Sequence, residues 1–196
     1  MKAMNRLVWV LVACFWATNV LAEEVGPKDV IAGNYAKIEA VIASEKPVDA
    51  MREDIKLQME SFVDYRELAR LTVKKKWDEF SAAEQTKFEG LVKGLIQRNY
   101  AKRFKPDTSL KVTYNGEPVF RKGKAKLSTT VASGDVTADV DYKMHKPEGK
   151  TEWWVYDIVI DEVSMMRNYR TQFGKIWKEG GKDALFKKLL KNEVKE

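Results

Sequence analysis

The apolar pattern of this chain changes period twice, and that change limits the folds open to it. Between Pro27 and Phe104 apolar residues return every three or four positions, as helices require. Between Lys111 and Asp161 they alternate, as half-buried strands require. From Ser164 onward the helical spacing returns. Helices, then strands, then helices give an α+β domain, because a doubly wound sheet needs the two periods to alternate along the chain. The expected fold is a curved antiparallel sheet with helices packed on one face.

Local signals place the elements. Pro27 suits a first helical position, and Ile31, Tyr35, Ile38 and Ile42 follow at helical spacing. Pro47 opens a second helix carrying Val48, Met51, Ile55, Met59 and Phe62. Asp64 and Glu67 form a D-x-x-E variant of the capping box, and Ser81 and Glu84 form another ahead of a long helix to about Phe104. The apolar side of that helix holds Phe88, Leu91, Val92, Leu95 and Ile96. Asn115-Gly116 reads as a hairpin turn between Lys111–Tyr114 and Pro118–Arg121. Lys124–Ala132 is a further strand, and Ser133-Gly134-Asp135 turns the chain again. Val136, Ala138, Val140, Tyr142 and Met144 then alternate with polar residues. In the last strand, Trp154, Tyr156, Ile158 and Ile160 are expected to share one face. Ser164 caps a helix bearing Met166, Tyr169, Phe173 and Ile176, Gly180-Gly181 ends it, and a lysine-rich helix follows.

The N-terminus points to export. Lys2 and Arg6 precede an apolar run from Leu7 to Ala17, and Val20-Leu21-Ala22 fits a cleavage site before Glu23. The run is short of the roughly 20 apolar residues that a membrane span needs. Residues 1–22 therefore read as a signal peptide and 23–196 as one domain. Removing 22 of the 196 residues leaves 174, enough for a substantial core. Leu11-Val12-Ala13-Cys14 also resembles a lipobox, but only seven apolar residues precede Cys14 and the run continues after it. Cys14 is the only cysteine, so the mature domain needs no disulfide. Two of the 35 basic residues lie in the leader and none of the 29 acidic ones, so the remainder carries +4. That balance suits anionic membranes or acidic partner proteins, while no nucleic-acid recognition motif is present.

Catalytic signatures are missing. There is no G-x-x-x-x-G-K-[ST] and no G-x-G-x-x-G. The single histidine, His145, falls on the polar side of its strand and reads as a surface residue. Strand parity turns Asp139 and Asp141 away from Tyr142, and Asp157 and Asp161 away from Tyr156. No carboxylate occupies the apolar register unless a bulge shifts it.

Two stretches carry a family resemblance: Phe62-Val63-Asp64-Tyr65-Arg66-Glu67-Leu68-Ala69-Arg70, and Val155-Tyr156-Asp157-Ile158 through Glu162-Val163-Ser164-Met165-Met166-Arg167-Asn168-Tyr169-Arg170-Thr171-Gln172-Phe173. Gly180-Gly181-Lys182-Asp183-Ala184-Leu185 extends the second. The chain resembles the MlaC family, also called the toluene-tolerance family, of periplasmic phospholipid-binding proteins. The resemblance implies a nuclear-transport-factor-like cone with an apolar cavity, a bound phospholipid as cargo and no other cofactor. It also implies two partners: an outer-membrane lipoprotein and porin complex, and the lipid-binding subunit of an inner-membrane ABC transporter. Such carriers maintain the lipid asymmetry of the outer membrane. Some relatives are associated with hopanoid lipids, so a different lipid is one alternative. An enzyme of the same cone fold acting on a small apolar substrate is another, and a non-lipid adaptor of an envelope complex is a third.

A carrier must shield acyl chains almost completely. At about 0.8 kcal/mol per CH₂, a chain of about 16 carbons costs on the order of 12 kcal/mol in water. The residues expected to line the cavity are Leu91, Leu95, Val140, Tyr142, Met144, Tyr156, Ile158, Ile160, Val163, Met166, Tyr169 and Phe173. Val163 is expected to face inward beside Met166 and Ile160, and the methionines adapt to variable tails. With no nucleotide motif, the direction of transfer has to come from partner affinities or their ATP use. The export reading is checked by intact mass. The exported protein is expected to begin at Glu23, and an N-terminal lipidated Cys14 refutes that reading.

Overall fold

The computed structural model describes residues 25–106 and 108–193. Residues 1–22, expected above to be a leader, lie outside these residues together with Cys14. Helix α1 (Pro27–Ile42) has its proline in the first turn and buries Ile31, Ile38 and Ile42. Helix α2 (Val48–Glu60) buries Met51, Ile55 and Met59. Helix α3 (Tyr65–Val73) starts at Asp64, whose Oδ1 accepts the Glu67 N–H at 2.9 Å. The expected box forms by only this half: the Glu67 carboxylate accepts both Nε and Nη2 of Arg70, at 2.6 and 2.8 Å. A 3₁₀ turn, Lys74–Glu79, then buries Trp77. Helix α4 (Ala82–Ala101) has both arms of its box, with Glu84 Oε2 accepting from Ser81 N at 2.8 Å and Ser81 Oγ from Glu84 N at 3.3 Å.

Six strands follow: β1 (Leu110–Tyr114), β2 (Val119–Arg121), β3 (Lys124–Ser133), β4 (Val136–His145), β5 (Trp154–Ile160) and β6 (Val163–Ser164). They form one antiparallel, unclosed sheet in the order β1-β3-β4-β5-β6, with β2 also paired to β3. The Asn115-Gly116 hairpin is not formed. β1 pairs with residues 129–133 and β2 with residues 124–126, so both lie along the same side of β3. The chain steps outward at Gly116 (φ 104°) between them. The tight turn is Lys122-Gly123, at φ 50° and 72°, which is the left-handed pair that a two-residue hairpin of this hand requires. Asp161 and Glu162 make a second such turn without glycine, at φ 45° and 66°. It is held by Asp161 Oδ1, which accepts the Asp139 N–H at 3.0 Å.

A β-bulge interrupts β5. Tyr142 pairs with Ile158 and Lys143 with Asp157, but Met144 pairs with Val155, leaving Tyr156 extra. Asp157, in regular register next to the bulge, faces Lys143, away from the face of Val140 and Tyr142. Asp157 is fully buried there. Its carboxylate accepts Lys143 Nζ at 2.9 Å, Ser164 Oγ at 2.8 Å and the Met166 N–H at 3.0 Å. One buried anion thus ties β4 to β5 and fixes the first turn of helix α5 (Met165–Glu193), whose N-terminus favours negative charge. Alongside, Val155 bonds to the main chain of Phe62 and Asp64 at 2.8 Å, which fixes the entry to α3.

Helix α5 breaks at Gly180 and Gly181 (φ 64°), and its second half packs Phe186 on Phe80 and Phe88 at ring distances of 5.6 and 6.0 Å. Lys182 Nζ meets Glu84 Oε1 at 2.7 Å across the same junction. Removing the Asp157 acceptor strands three donors at once. Asp157→Ala is expected to lose about 3 kcal/mol of stability in urea unfolding, and Lys143→Met, which leaves the buried carboxylate without its cation, about as much.

Candidate functional site

Two apolar surfaces meet inside the protein. The sheet contributes Leu127, Val140, Tyr142 and Met144, all buried, with half-buried Ile158 and Ile160 beside them. Tyr35 of α1 reaches this face, its hydroxyl 2.5 Å from that of Tyr142 and the rings edge to face at 6.3 Å. Each hydroxyl gives the other a partner that the surrounding apolar side chains lack. Burial pushes both phenols above their ordinary range, Tyr142 the further.

The helices contribute a cleft of about 610 Å³ between α4 and both halves of α5. Leu95, Tyr169, Phe173, Ile176 and Leu189 form its apolar lining. Tyr169 and Phe173 stack at 5.7 Å, and Phe173 continues onto the fully buried Phe88 at 5.9 Å. The lining therefore runs into the core. Around it stand Arg98, Lys102, Arg103 and Lys188. Asn99 orients the polar side: its Nδ2 donates to Tyr169 Oη at 3.0 Å, and its Oδ1 accepts from Lys102 Nζ at 3.2 Å. The Arg103 guanidinium lies 5.0 Å from the Tyr100 ring centre. Burial raises the Tyr169 phenol, and the Asn99 bond and nearby arginines work against that rise.

The profile of the MlaC protein family matches residues 34–191. The chain belongs to the MlaC family. A phospholipid-binding protein from Ralstonia solanacearum, solved in complex with a phospholipid, has a similar fold. It is 18% identical, with a TM-score of 0.73, over 83% of this chain and 93% of that one. No curated protein matches the chain. The α+β fold expected from the resemblance is the fold observed. The match to MlaC runs on to Lys191, past the Gly180–Leu185 stretch that carried the resemblance.

The structure sorts the expected lining residues into groups. Leu95, Tyr169 and Phe173 line the α4–α5 cleft. Leu91, one turn earlier on α4, is buried in the core. Val140, Tyr142, Met144, Ile158 and Ile160 share the apolar sheet face. Met166 belongs to neither surface: Arg170 donates to its sulfur at 2.6 Å and to the Leu71 carbonyl at 2.9 Å, which turns this side of α5 toward α3.

Two residues are corrections. The bulge places Tyr156 on the opposite face, its ring 5.2 Å from that of His145 and 4.6 Å from Lys124 Nζ. Val163 pairs with Ile160 but is 61% exposed, on the two-residue strand β6 that forms the edge of the sheet. His145 is on the polar face as expected, yet its side chain is only 15% exposed and its Nε2 lies 2.9 Å from Asp64 Oδ2. Burial works to raise the Asp64 carboxyl, but bonds from His145 and the Glu67 N–H outweigh it and hold the group below its usual range.

Sequence reasoning missed Arg98, Asn99, Lys102 and Arg103. Their signal was present: with Leu95 they recur at three, four, seven and eight positions, one continuous stripe of α4.

The buried phenols predict an alkaline limit to stability. Tyr35 and Tyr142 titrate above the ordinary value of 10.0 when folded, so the folded chain keeps protons that the unfolded chain releases. Their contribution is complete below that value and is lost as pH rises through the folded values. The urea midpoint is expected to hold steady to about pH 9 and to fall by about pH 11, with tyrosinate absorbance rising as the chain unfolds.

Proposed function

We propose that this protein is a periplasmic phospholipid carrier, exported by the leader 1–22 and working as a single domain. The observation that carries the reading is the α4–α5 cleft. It joins an apolar part, Leu95, Tyr169, Phe173, Ile176 and Leu189, which continues into the core, to a larger polar part that includes Arg98, Lys102, Arg103 and Lys188. A phospholipid has the same two-part chemistry, with chains that must leave water and a phosphate that must not. Membership of the MlaC family and the fold shared with a phospholipid-binding protein support it. No described helix is long and apolar enough to cross a membrane, which is compatible with a diffusing carrier. Its partners on this reading are the outer-membrane lipoprotein and porin complex and the lipid-binding subunit of an inner-membrane ABC transporter. Transfer between them maintains outer-membrane lipid asymmetry.

An enzymatic reading would call for an acid or histidine beside a tyrosine in the cleft. Asp64, His145 and Tyr156 do come together, but on the opposite face of the sheet, where Asp64 caps α3. None of the three lines the cleft.

Protein purified from a Gram-negative host is expected to yield about one phospholipid per chain on organic extraction and mass spectrometry. Leu95→Glu places a carboxylate against the apolar lining and is expected to cut that yield about tenfold while the circular dichroism spectrum is retained. Wild-type protein free of lipid would sink the carrier assignment.

A further inference from the structure

We propose that the end of the sheet formed by the β2–β3 and β4–β5 turns docks the protein reversibly on an anionic bilayer surface. The inference goes beyond the carrier reading and uses residues apart from the α4–α5 cleft. Strand register puts the two turns side by side: Arg121 pairs with Lys124, Lys124 with His145 and His145 with Trp154. Apolar side chains gather there. Val119 and Phe120 are 62% and 61% exposed on the three-residue β2. The half-buried Trp153 meets Phe120 at a ring distance of 5.7 Å. Phe120 pairs with Ala125, and Ala125 with Met144, both buried. The exposed aromatics thus carry the apolar face of the sheet out of the core and into solvent. Large apolar side chains grouped at a surface mark a contact with a protein or a membrane.

Charge decides between the two. Residues 119–124 and 146–153 carry Arg121, Lys122, Lys124, Lys146 and Lys150 against Glu148 and Glu152. Five cations less two carboxylates leave +3, and pairing among these groups does not alter the sum. Arg121, Lys122, Lys124 and Lys150 are exposed, as are both glutamates. Charge and ring surface are interleaved: Lys146 Nζ lies 5.1 Å from the Trp153 ring centre, and Lys124 Nζ 4.6 Å from that of Tyr156. Contact with a membrane interface uses this combination, with aromatic rings at the level of the headgroups and cations against anionic phosphates. A stable protein interface buries about 800 Å² on each partner. Three apolar side chains on two turns cover only part of that, whereas a bilayer asks for no more than shallow insertion. Each exposed cation adds an attraction that salt screens, so the attachment is weak and reversible.

The test is flotation of the exported protein with vesicles of phosphatidylglycerol or of phosphatidylcholine. At low salt the wild type is expected to bind phosphatidylglycerol vesicles about tenfold more tightly than phosphatidylcholine ones, and to lose that excess as salt is raised. Val119→Ser with Phe120→Ser is expected to weaken binding to phosphatidylglycerol about tenfold, and Lys122→Glu with Lys150→Glu by about as much. Leu57→Ser, at an equally exposed apolar position of α2, is expected to keep it. Urea midpoints and co-purified lipid are expected to match wild type in all three, and should the apolar pair unfold, the charge pair decides alone. Wild type that floats with neither vesicle overturns the inference. So does equal binding to the two lipids, or binding that survives both turn variants. Self-association of the wild type that Val119→Ser with Phe120→Ser abolishes, without vesicle binding, would give the patch to a second copy and overturn the membrane assignment. These results leave the carrier reading untouched, since that reading fails when the wild type yields no lipid on extraction.

Discussion

A carboxylate without access to water has to be surrounded by donors, and Asp157 is such a group. Its three donors come from β4, from β6 and from the first turn of α5. Satisfying all three fixes relations that hydrophobic burial alone would leave loose. Asp157 faces Lys143 in the regular pair next to the bulge at Tyr156. The short β6 brings Ser164 within reach, and Ser164 Oγ in turn accepts the Arg167 N–H at 3.1 Å. The direction of α5 leaving the sheet follows from these contacts. That direction sets where Tyr169 and Phe173 meet α4, and so where the cleft lies. Buried ion pairs are often no better than apolar packing for stability, and their use here is to specify a geometry.

Much of this architecture was legible from residue spacing. The change of period gave the helix–strand–helix order, and the caps at Asp64, Ser81 and Ser164 fall at or next to the helix starts. Gly180-Gly181 broke the last helix as expected. The failure at Asn115-Gly116 is physical. Asn-Gly suits a left-handed hairpin pair, but here the Asn115 N–H bonds to Ser128 of β3, and β1 runs on beside β3 instead of folding onto β2. The turn that does form puts Lys122, which carries a Cβ, at a positive φ, and the glycine beside it carried too little signal to outrank Asn-Gly.

The site was legible only in its apolar half. Alternation along β4 placed Val140, Tyr142 and Met144 correctly, because a regular strand keeps parity and one face is buried. Parity failed in β5 because one inserted residue reverses it, and nothing in Val155-Tyr156-Asp157-Ile158 marks the insertion. Ile158 and Ile160, beyond the bulge on the α5 side, kept the expected face, whereas Tyr156 did not. Asp157, also beyond the bulge, kept the expected face too, opposite Tyr142 and Ile158, and is buried there by Lys143, Ser164 and the start of α5.

The polar half was hidden by a habit of reading charge on helices as solvated surface. That habit holds where acids and bases alternate, as along α3, where Glu67 receives Arg70. It fails where a stripe carries one sign. Leu95, Arg98, Lys102 and Arg103 occupy such a stripe, and the C-terminal half of α5 completes it with Lys188 from nearly ninety positions away. Only folding brings that lysine to the others, through the Gly180-Gly181 break that allows Leu189 to bury against the same cleft. Net charge was therefore a poor guide to this region: 35 basic residues stand against 29 acidic ones over the whole chain, and the consequence depends on where the cations gather.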